Sequence, residues 1–443
     1  MGAEERLLET IEEEEGPFDR GTRQDRLARK NKSAITRFLG KGRRAYEVGI
    51  VPWYYSEVLS WALQRYLEME KWQVTRTLKY HDNEPIFMDV NTSCDQSENL
   101  LMDGQLLIQK GDDRFIVTVD LKSWHNAILI EGPVARKKFI PEFVTGVINL
   151  AREQNFYRGK NLELASKLRF LNLKDRPWES VILEEPMKDE IHANTIGFLN
   201  SRERWSDFGI PSKRGVLLAG EPGTGKTIIC KALMAEASGI TCITTSAYTL
   251  DTREYVSELY ELAEDLKPSM VFIEDIDLIG QNREEFGYQR GNALLSLLST
   301  LDGVEEHSEI VTVATTNHLE TLDKALSQRP SRFDRVIRLS RPGSGQRRQL
   351  VDVICARIPL EEALREYLVH KTDGFTPAQI QEVLFSLVIE RPKAEQESFR
   401  AREANIDNAI SRISGHRQKQ MGFCPVNGKN GKKPGLGDTV RLA

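Results

Sequence analysis

The chain has 443 residues, of which 40% are hydrophobic and 29% are charged, as in ordinary globular proteins. No apolar run approaches the roughly 20 residues that span a bilayer, so the sequence predicts a soluble protein with no membrane partner. A cytoplasmic location is predicted from the scattered cysteines, which fit a reducing compartment. The formal net charge of −5 gives no general attraction to nucleic acid, which makes nucleic acid an unfavoured partner. The five cysteines have no paired spacing, which argues against a disulfide framework and a zinc knuckle.

The N-terminal segment changes sign along its length. Four glutamates at 12–15 precede a basic stretch that runs from Arg20 to Lys32. We interpret residues 1–45 as a charged, flexible, solvated arm, and the alternative is a partner-binding segment.

Residues 46–165 combine one helical pattern with a hairpin pattern. The run SEVLSWALQRYL places apolar residues on one helical stripe, and QLLIQK, GDD and RFIVTVDL are typical of two strands joined by a tight turn. A small α+β domain for substrate or partner binding is therefore predicted. Its tryptophans and tyrosines favour core packing over an exposed binding surface for apolar polypeptide. These aromatic residues are Trp53, Tyr54, Tyr55, Trp61 and Trp72.

Residues 175–342 alternate β-branched strands with helices, which predicts a parallel five-stranded sheet covered on both faces. The strands are GVLL, TCIT, SMVFI, EIVTVAT and RVIRL. Residues 343–415 turn helical, with Thr376, Pro377 and Gln379 marking one helix start, and they predict a helical lid. Residues 416–443 are rich in glycine and lysine and predict a flexible basic tail.

The segment GEPGTGKT, residues 220–227, follows a strand and opens a helix. Glycines let backbone N–H groups approach the negative charges of a nucleoside triphosphate closely. Lys226 is then expected to contact the β- and γ-phosphates, and the hydroxyl of Thr227 to bind Mg²⁺. The residues assigned to ATP are Glu221, Pro222, Gly223, Thr224, Gly225, Lys226 and Thr227.

A second element, SMVFIEDID, ends a buried strand in carboxylates about 50 residues after the phosphate loop. Ligands bind at the carboxyl edge of such sheets. By position, Glu274 is expected to hold magnesium and Asp275 to align and activate the attacking water.

Together with FGIPSKRGVLLAGEPGTGKT, LLSTLDGV, VATTNHLETLDKAL and RPSRFDRVIRL, these motifs resemble the AAA family of ATPases from about residue 178 to 415. The resemblance implies a P-loop NTPase fold and an adenine pocket lined by Gly209 and Ile210. It implies that Asn317 orients the lytic water and that Ala378, in GFTPAQI, belongs to the nucleotide site. It further implies that Arg332 and Arg335 act as arginine fingers in an adjoining copy, in a ring that is usually hexameric.

Several positions depart from the family pattern. The order Glu274–Asp275 reverses the usual Asp–Glu, and the segment from Thr244 to Tyr260 lacks the aromatic pore loop of protein-threading members. Both features, and the lack of arginine near Ala378, are similar to the mitochondrial AAA translocase of the Rieske protein. No HExxH sequence occurs.

Three functions follow from these observations. The favoured one is a ring ATPase that remodels, unfolds or translocates a protein client selected by residues 46–165. The second is a slow ATP-dependent assembly switch or scaffold, motivated by the reversed carboxylates and the missing pore aromatic. The third, nucleic-acid remodelling through the basic arm and tail, has no supporting readout motif.

Overall fold

A computed structural model describes residues 23–80, 84–122, 126–173, 177–209, 213–250, 253–278, 297, 308–320, 333–358, 360–389 and 401–420. By its internal contacts the chain divides into two units, residues 1–340 and 341–443. Among the described residues, none of the helices has the length and apolar composition that crossing a bilayer requires.

The first sheet of unit 1 is antiparallel. Its strands are β1 (Arg44–Ile50), β2 (Gln73–Leu78), β3 (Ile86–Asn91), β4 (Ser97–Lys110), β5 (Asp113–Asp120) and β6 (Ala127–Pro133). They follow the order β1-β6-β5-β4-β2, and β3 also pairs with β4. The predicted hairpin is confirmed, because β4 and β5 pair from Asp103 with Asp120 to Lys110 with Asp113. Gly111 supplies the positive φ, 61°, that so tight a turn needs.

Helices α2 (Ser56–Met69) and α3 (Phe139–Glu153) pack together and against this sheet. The predicted stripe on α2 is confirmed, since Val58, Leu59 and Ala62 are fully buried. The aromatic residues also belong to the core as predicted. Tyr54, Tyr55 and Trp72 are buried, and Trp53 and Trp61 pack against the same cluster.

The prediction of a flexible arm over residues 1–45 is wrong for the part that the structure describes. Helix α1 (Arg23–Leu39) lies there, and β1 begins at Arg44. The helix is held because Ile35 is buried in a cluster with Leu107 and Ile116 of the first sheet. Burying those apolar side chains outweighs the charge of the segment, on which the prediction depended. Residues 1–22 lie outside the described part of the chain.

The second sheet of unit 1 is mainly parallel. Its strands are β7 (Asn161–Leu164), β8 (Leu168–Phe170), β9 (Lys213–Ala219), β10 (Thr241–Ser246), β11 (Ser269–Glu274), β12 (Ile310–Thr316) and β13 (Arg335–Arg338). The order is β13-β9-β12-β11-β10-β7-β8. The five predicted strands are all present and parallel to their neighbours.

The prediction of five strands is nevertheless too low. Strand β7 pairs parallel with β10, from Asn161 with Cys242 to Glu163 with Thr244, and β8 turns back antiparallel beside it. Residues 161–164 therefore belong to this sheet and not to the N-terminal domain, because their strand pairs with β10.

Helices cover the second sheet and lead into it. They are α4 (Glu185–Ala193), α5 (Ile196–Asn200), α6 (Arg202–Asp207), α7 (Lys226–Glu236) and α8 (Arg253–Asp265). Between residues 279 and 307 the structure describes Leu297, which is fully buried.

Unit 2 is helical over its described residues, with α9 (Ser344–Cys355), α10 (Glu362–Lys371), α11 (Pro377–Ile389) and α12 (Glu403–Gln420). The predicted start of α11 is confirmed as a capping box. The backbone N of Thr376 donates to Oε1 of Gln379 at 3.0 Å, and the backbone N of Gln379 donates to Oγ1 of Thr376 at 3.4 Å. Helix α12 extends five residues into the predicted tail; residues 421–443 are outside the described part.

Candidate nucleotide site

The loop from Gly220 to Gly225 joins β9 to α7 and has a backbone that glycine alone adopts easily. Gly223 and Gly225 have φ of 83° and 99°. A Cβ on Gly220 would lie 2.7 Å from the carbonyl oxygen of Leu339. The glycines predicted from the motif are therefore required by the loop geometry, and α7 begins directly after Gly225. This places N–H groups at a helix N-terminus, where an anion binds favourably.

Lys226 is the first residue of α7 and is 6% exposed. Its Nζ donates to the carbonyl oxygens of Gly220 at 2.7 Å and Glu221 at 3.1 Å. Burial lowers the pKa of Lys226, while the nearby charges of Asp275 and Asp277 act to raise it. An ammonium group has three N–H donors, and the two loop carbonyls accept two of them.

Glu274 ends β11 opposite the start of α7. The hydroxyl of Thr227 donates to its Oε2 at 3.4 Å. Burial raises the pKa of Glu274, and the charge of Lys231 opposes that shift. A hydroxyl and a carboxylate from two elements supply the oxygen ligands that Mg²⁺ prefers, so these two residues fit the predicted metal site.

Asp275 is held against the end of the neighbouring strand β12. Nδ2 of Asn317 donates to its Oδ1 at 2.9 Å, and its own backbone N donates to Oγ1 of Thr315 at 3.0 Å. Its φ is 55°, a left-handed conformation that aspartate tolerates better than most non-glycine residues. The two residues predicted to handle the attacking water are thus in direct contact.

The structure also adds a residue that the sequence analysis did not single out. Asp277 is 2% exposed, and its Oδ1 accepts hydrogen bonds from the Thr316 hydroxyl at 2.8 Å and the Asn317 backbone N at 3.1 Å. The available signal was its place as the third acidic residue in FIEDID, at the same strand end.

The remaining predicted residues are more scattered. Arg335 is exposed at the start of the edge strand β13, opposite Val216 of β9, and the preceding Asp334 accepts the backbone N–H of Gly215 at 2.7 Å. Gly209 has a φ of 65°. Ala378 lies in α11 of unit 2. Ile210 and Arg332 are outside the described residues.

Comparison with known proteins places a family model on the segment that carries this site. The model described as "ATPase family associated with various cellular activities (AAA)" matches residues 216–341. These residues include the loop, both strand ends and the start of β13.

Known proteins are similar to about half of the chain. ATP-dependent zinc metalloprotease FtsH 2 of Bdellovibrio bacteriovorus is 33% identical over 255 residues, 53% of this chain and 40% of that protein. The 26S proteasome regulatory subunit 4 homolog B of Arabidopsis thaliana is 30% identical over 272 residues, 55% of this chain and 61% of that protein. The cell division cycle protein 48 homolog of Archaeoglobus fulgidus is 34% identical over 192 residues, 41% of this chain and 26% of that protein. The chain thus spans less than two thirds of each relative.

Proposed function

We propose that residues 216–341, which match the AAA family model, form an ATPase domain. The chain then hydrolyses ATP with Mg²⁺ and uses the energy to remodel, unfold or translocate protein clients. One observation carries the proposal. The side chains that ATP hydrolysis needs come from three separate segments and meet beside the phosphate loop, as the contacts of Thr227 with Glu274 and of Asn317 with Asp275 indicate.

The residues of the site divide the chemistry between them. The N–H groups of the loop and Lys226 bind the phosphates, and Thr227 and Glu274 hold the magnesium ion. When bound, that ion neutralises charge on the β- and γ-phosphate oxygens. Asp275 accepts a proton from the attacking water as it reacts, and Asn317 keeps that carboxylate and the water aligned. Placing these groups in advance lowers the barrier by orientation and electrostatics.

The arginines predicted to act in trans complete the site in a ring of identical copies, for which six is the proposed number. Arg335 is exposed on an edge strand, where an adjoining copy can approach it. A guanidinium from outside stabilises charge on the γ-phosphoryl oxygens, and we assign this role to Arg332 and Arg335.

Protein clients are proposed because two of the relatives carry names that refer to protein degradation, a metalloprotease and a proteasome regulatory subunit. A cytoplasmic location stays a prediction from the sequence. The second candidate, a slow assembly switch, is favoured by the reversed order of Glu274 and Asp275. Single-turnover kinetics distinguish the two, because a switch releases its partner after one hydrolysis event.

The test is ATP turnover by the purified full chain, with and without unfolded polypeptide, alongside its oligomeric state. Lys226→Ala should abolish nucleotide binding or turnover. Arg332→Ala combined with Arg335→Ala should keep ATP affinity and lose turnover, and mixing those subunits with Lys226→Ala subunits should restore part of the activity. Arg338→Ala, a matched change at another exposed position of β13, should turn over near the wild-type rate. Full activity of a strictly monomeric double-arginine variant would refute the shared site.

A further inference from the structure

Asp277 is a buried carboxylate with a specific set of hydrogen bonds. It follows β11 by three residues, is 2% exposed, and uses Oδ1 to accept both the Thr316 hydroxyl and the Asn317 backbone N–H. Burying a carboxyl group is costly unless its oxygens accept hydrogen bonds, as Oδ1 of Asp277 does. Asp277 therefore fixes the position of Asn317, the residue that follows β12.

The backbone position of Asn317 in turn determines where its side chain lies, and that side chain contacts the proposed general base, Asp275. The backbone N of Asn317 donates a hydrogen bond to Oδ1 of Asp277, and its Nδ2 donates to Oδ1 of Asp275 at 2.9 Å. Thr315, two residues earlier, accepts the backbone N–H of Asp275. The end of β12 therefore forms hydrogen bonds with the segment after β11 at two residues, Asp275 and Asp277, which lie on either side of Ile276.

These hydrogen bonds matter because they hold Asp275 in a backbone conformation that residues other than glycine seldom adopt. Asp275 has a φ of 55°, and left-handed conformations at residues other than glycine persist only where the surroundings enforce them. Asp275 is held in this conformation by its hydrogen bonds with Thr315 and Asn317. Asp277 in turn holds Asn317 by accepting its backbone N–H. A shift of either segment would turn the carboxylate of Asp275 away from its place.

We propose that Asp277 is a positioning residue for ATP hydrolysis, which holds Asn317 by its backbone and thereby holds the carboxylate of Asp275 in place. The inference rests on the proposed ATPase function. Asp277 positions Asn317 through Oδ1, the oxygen that accepts both hydrogen bonds. It is not assigned a contact with ATP or magnesium.

Two substitutions at Asp277 distinguish the effect of its acceptor oxygen from the effect of its charge. Asp277→Asn removes the charge and keeps a carbonyl oxygen that can accept both bonds, whereas Asp277→Ala removes both. We expect Asp277→Ala to lower kcat by about 10- to 100-fold with KM and ATP affinity within about twofold, since small misplacements of reacting groups cost that much. Asp277→Asn should stay within about threefold of the wild-type kcat. Equal losses in both variants, or a loss that appears in KM alone, would overturn the proposal.

A milder change covers the case in which Asp277→Ala does not fold. Thr316→Val keeps the side-chain shape and removes the hydroxyl that donates to Asp277. The same change removes the acceptor of the backbone N–H of His318, at 3.0 Å. We expect kcat to fall by about 3- to 10-fold, since small misplacements of reacting groups slow the reaction. Thr312→Val is the matched control, because it lies on the same strand and its hydroxyl contacts Tyr260 instead, at 2.9 Å. A larger kcat loss in Thr312→Val than in Thr316→Val would contradict the assignment.

Hydrogen exchange tests the same network without any turnover. In deuterated buffer, the amide of Asn317 should exchange at least tenfold faster in Asp277→Ala than in the wild type, and at a near wild-type rate in Asp277→Asn. Unchanged exchange in Asp277→Ala refutes the proposal even if the chain hydrolyses ATP. A wild-type chain that shows no turnover refutes the ATPase function instead, and the exchange result still decides whether Asp277 holds Asn317.

Discussion

The two sheets of unit 1 use polar residues differently, and the direction of their strands explains why. Neighbouring strands of the first sheet run antiparallel, so that successive strands end at opposite edges. In the second sheet, β9, β10, β11 and β12 run parallel and all end at one edge. Lys226, Glu274 and Asn317 lie far apart in the chain, yet each follows or ends one of these strands. A parallel sheet thus brings polar side chains from distant segments to one edge, whereas an antiparallel sheet places its strand ends at two opposite edges.

The sheets are nevertheless parts of one body. A single apolar cluster contains residues beneath both. Polar contacts accompany it, since Nε1 of Trp53 donates to Glu258 of α8 at 2.8 Å and the guanidinium of Arg158 donates to the carbonyl oxygens of Asp265 and Lys267. The N-terminal sheet, proposed to select clients, is therefore fixed to the sheet proposed to hydrolyse ATP and is not joined to it by a free linker.

The largest effect should come from the edge where the parallel strands end. Asp275→Asn should lower turnover by about 100-fold or more, because it removes the proposed general base. ATP affinity should persist, since Lys226 and the loop are untouched. Turnover and the nucleotide retained after gel filtration measure the two effects separately.

Glu274→Gln is the informative neighbour of that variant. It keeps the side-chain length and should weaken Mg²⁺-dependent binding, because Glu274 faces Thr227. If Glu274→Gln retained ATP without hydrolysis while Asp275→Asn lost binding, the assignment of base and metal ligand would be reversed.

The sequence predicts best those features that depend on residues close together in the chain. The phosphate loop, the hairpin at Gly111 and the capping box at Thr376 each fall within a few residues. The five predicted strands of the second sheet were recognisable for a related reason, because each is a short run rich in β-branched residues and can be identified from its own residues.

What the sequence did not reveal depends on distant partners. Strand β7 has four residues and no distinctive pattern, and it forms because β10, about 80 residues later, offers an edge. Helix α1 looked like a charged arm because only a few apolar residues, such as Ile35, hold it to the sheet. The proposed role of Asp277 depends on how β11 and β12 end side by side. The run FIEDID places Asp277 near the strand end, but it does not reveal the contacts with Thr316 and Asn317.

The second prediction concerns packing in the antiparallel sheet. A Cβ on Gly132 of β6 would lie 2.3 Å from Cδ1 of Phe115, which is fully buried beside Trp72 and Phe139. Gly132→Ala should destabilise the protein by about 1–3 kcal/mol, the cost of overpacking a closed core. The urea unfolding midpoint, followed by tryptophan fluorescence, measures the change.

Two further variants show whether the clash is the cause. Phe115→Leu should make room and reduce the added cost of Gly132→Ala in the double variant. Gly345→Ala has no atom within 4 Å of the new Cβ and lies in helix α9, so it should stabilise by up to about 1 kcal/mol. Equal costs of Gly132→Ala with and without Phe115→Leu would mean that the backbone of β6, and not the ring, resists the change.

The smallest effect should arise where the two sheets meet. Trp53→Phe keeps most of the ring and removes the N–H that Glu258 accepts, which should cost about 0.5–1.5 kcal/mol for a half-buried hydrogen bond. Trp61→Phe is the matched control, because its N–H donates to Glu98 at 3.3 Å and joins α2 to β4 of the N-terminal sheet. Both variants should lose similar stability, but only Trp53→Phe should alter ATP turnover, since it alone loosens the N-terminal sheet from α8. Equal turnover in the two variants would mean that this bond joins the sheets without coupling client selection to hydrolysis.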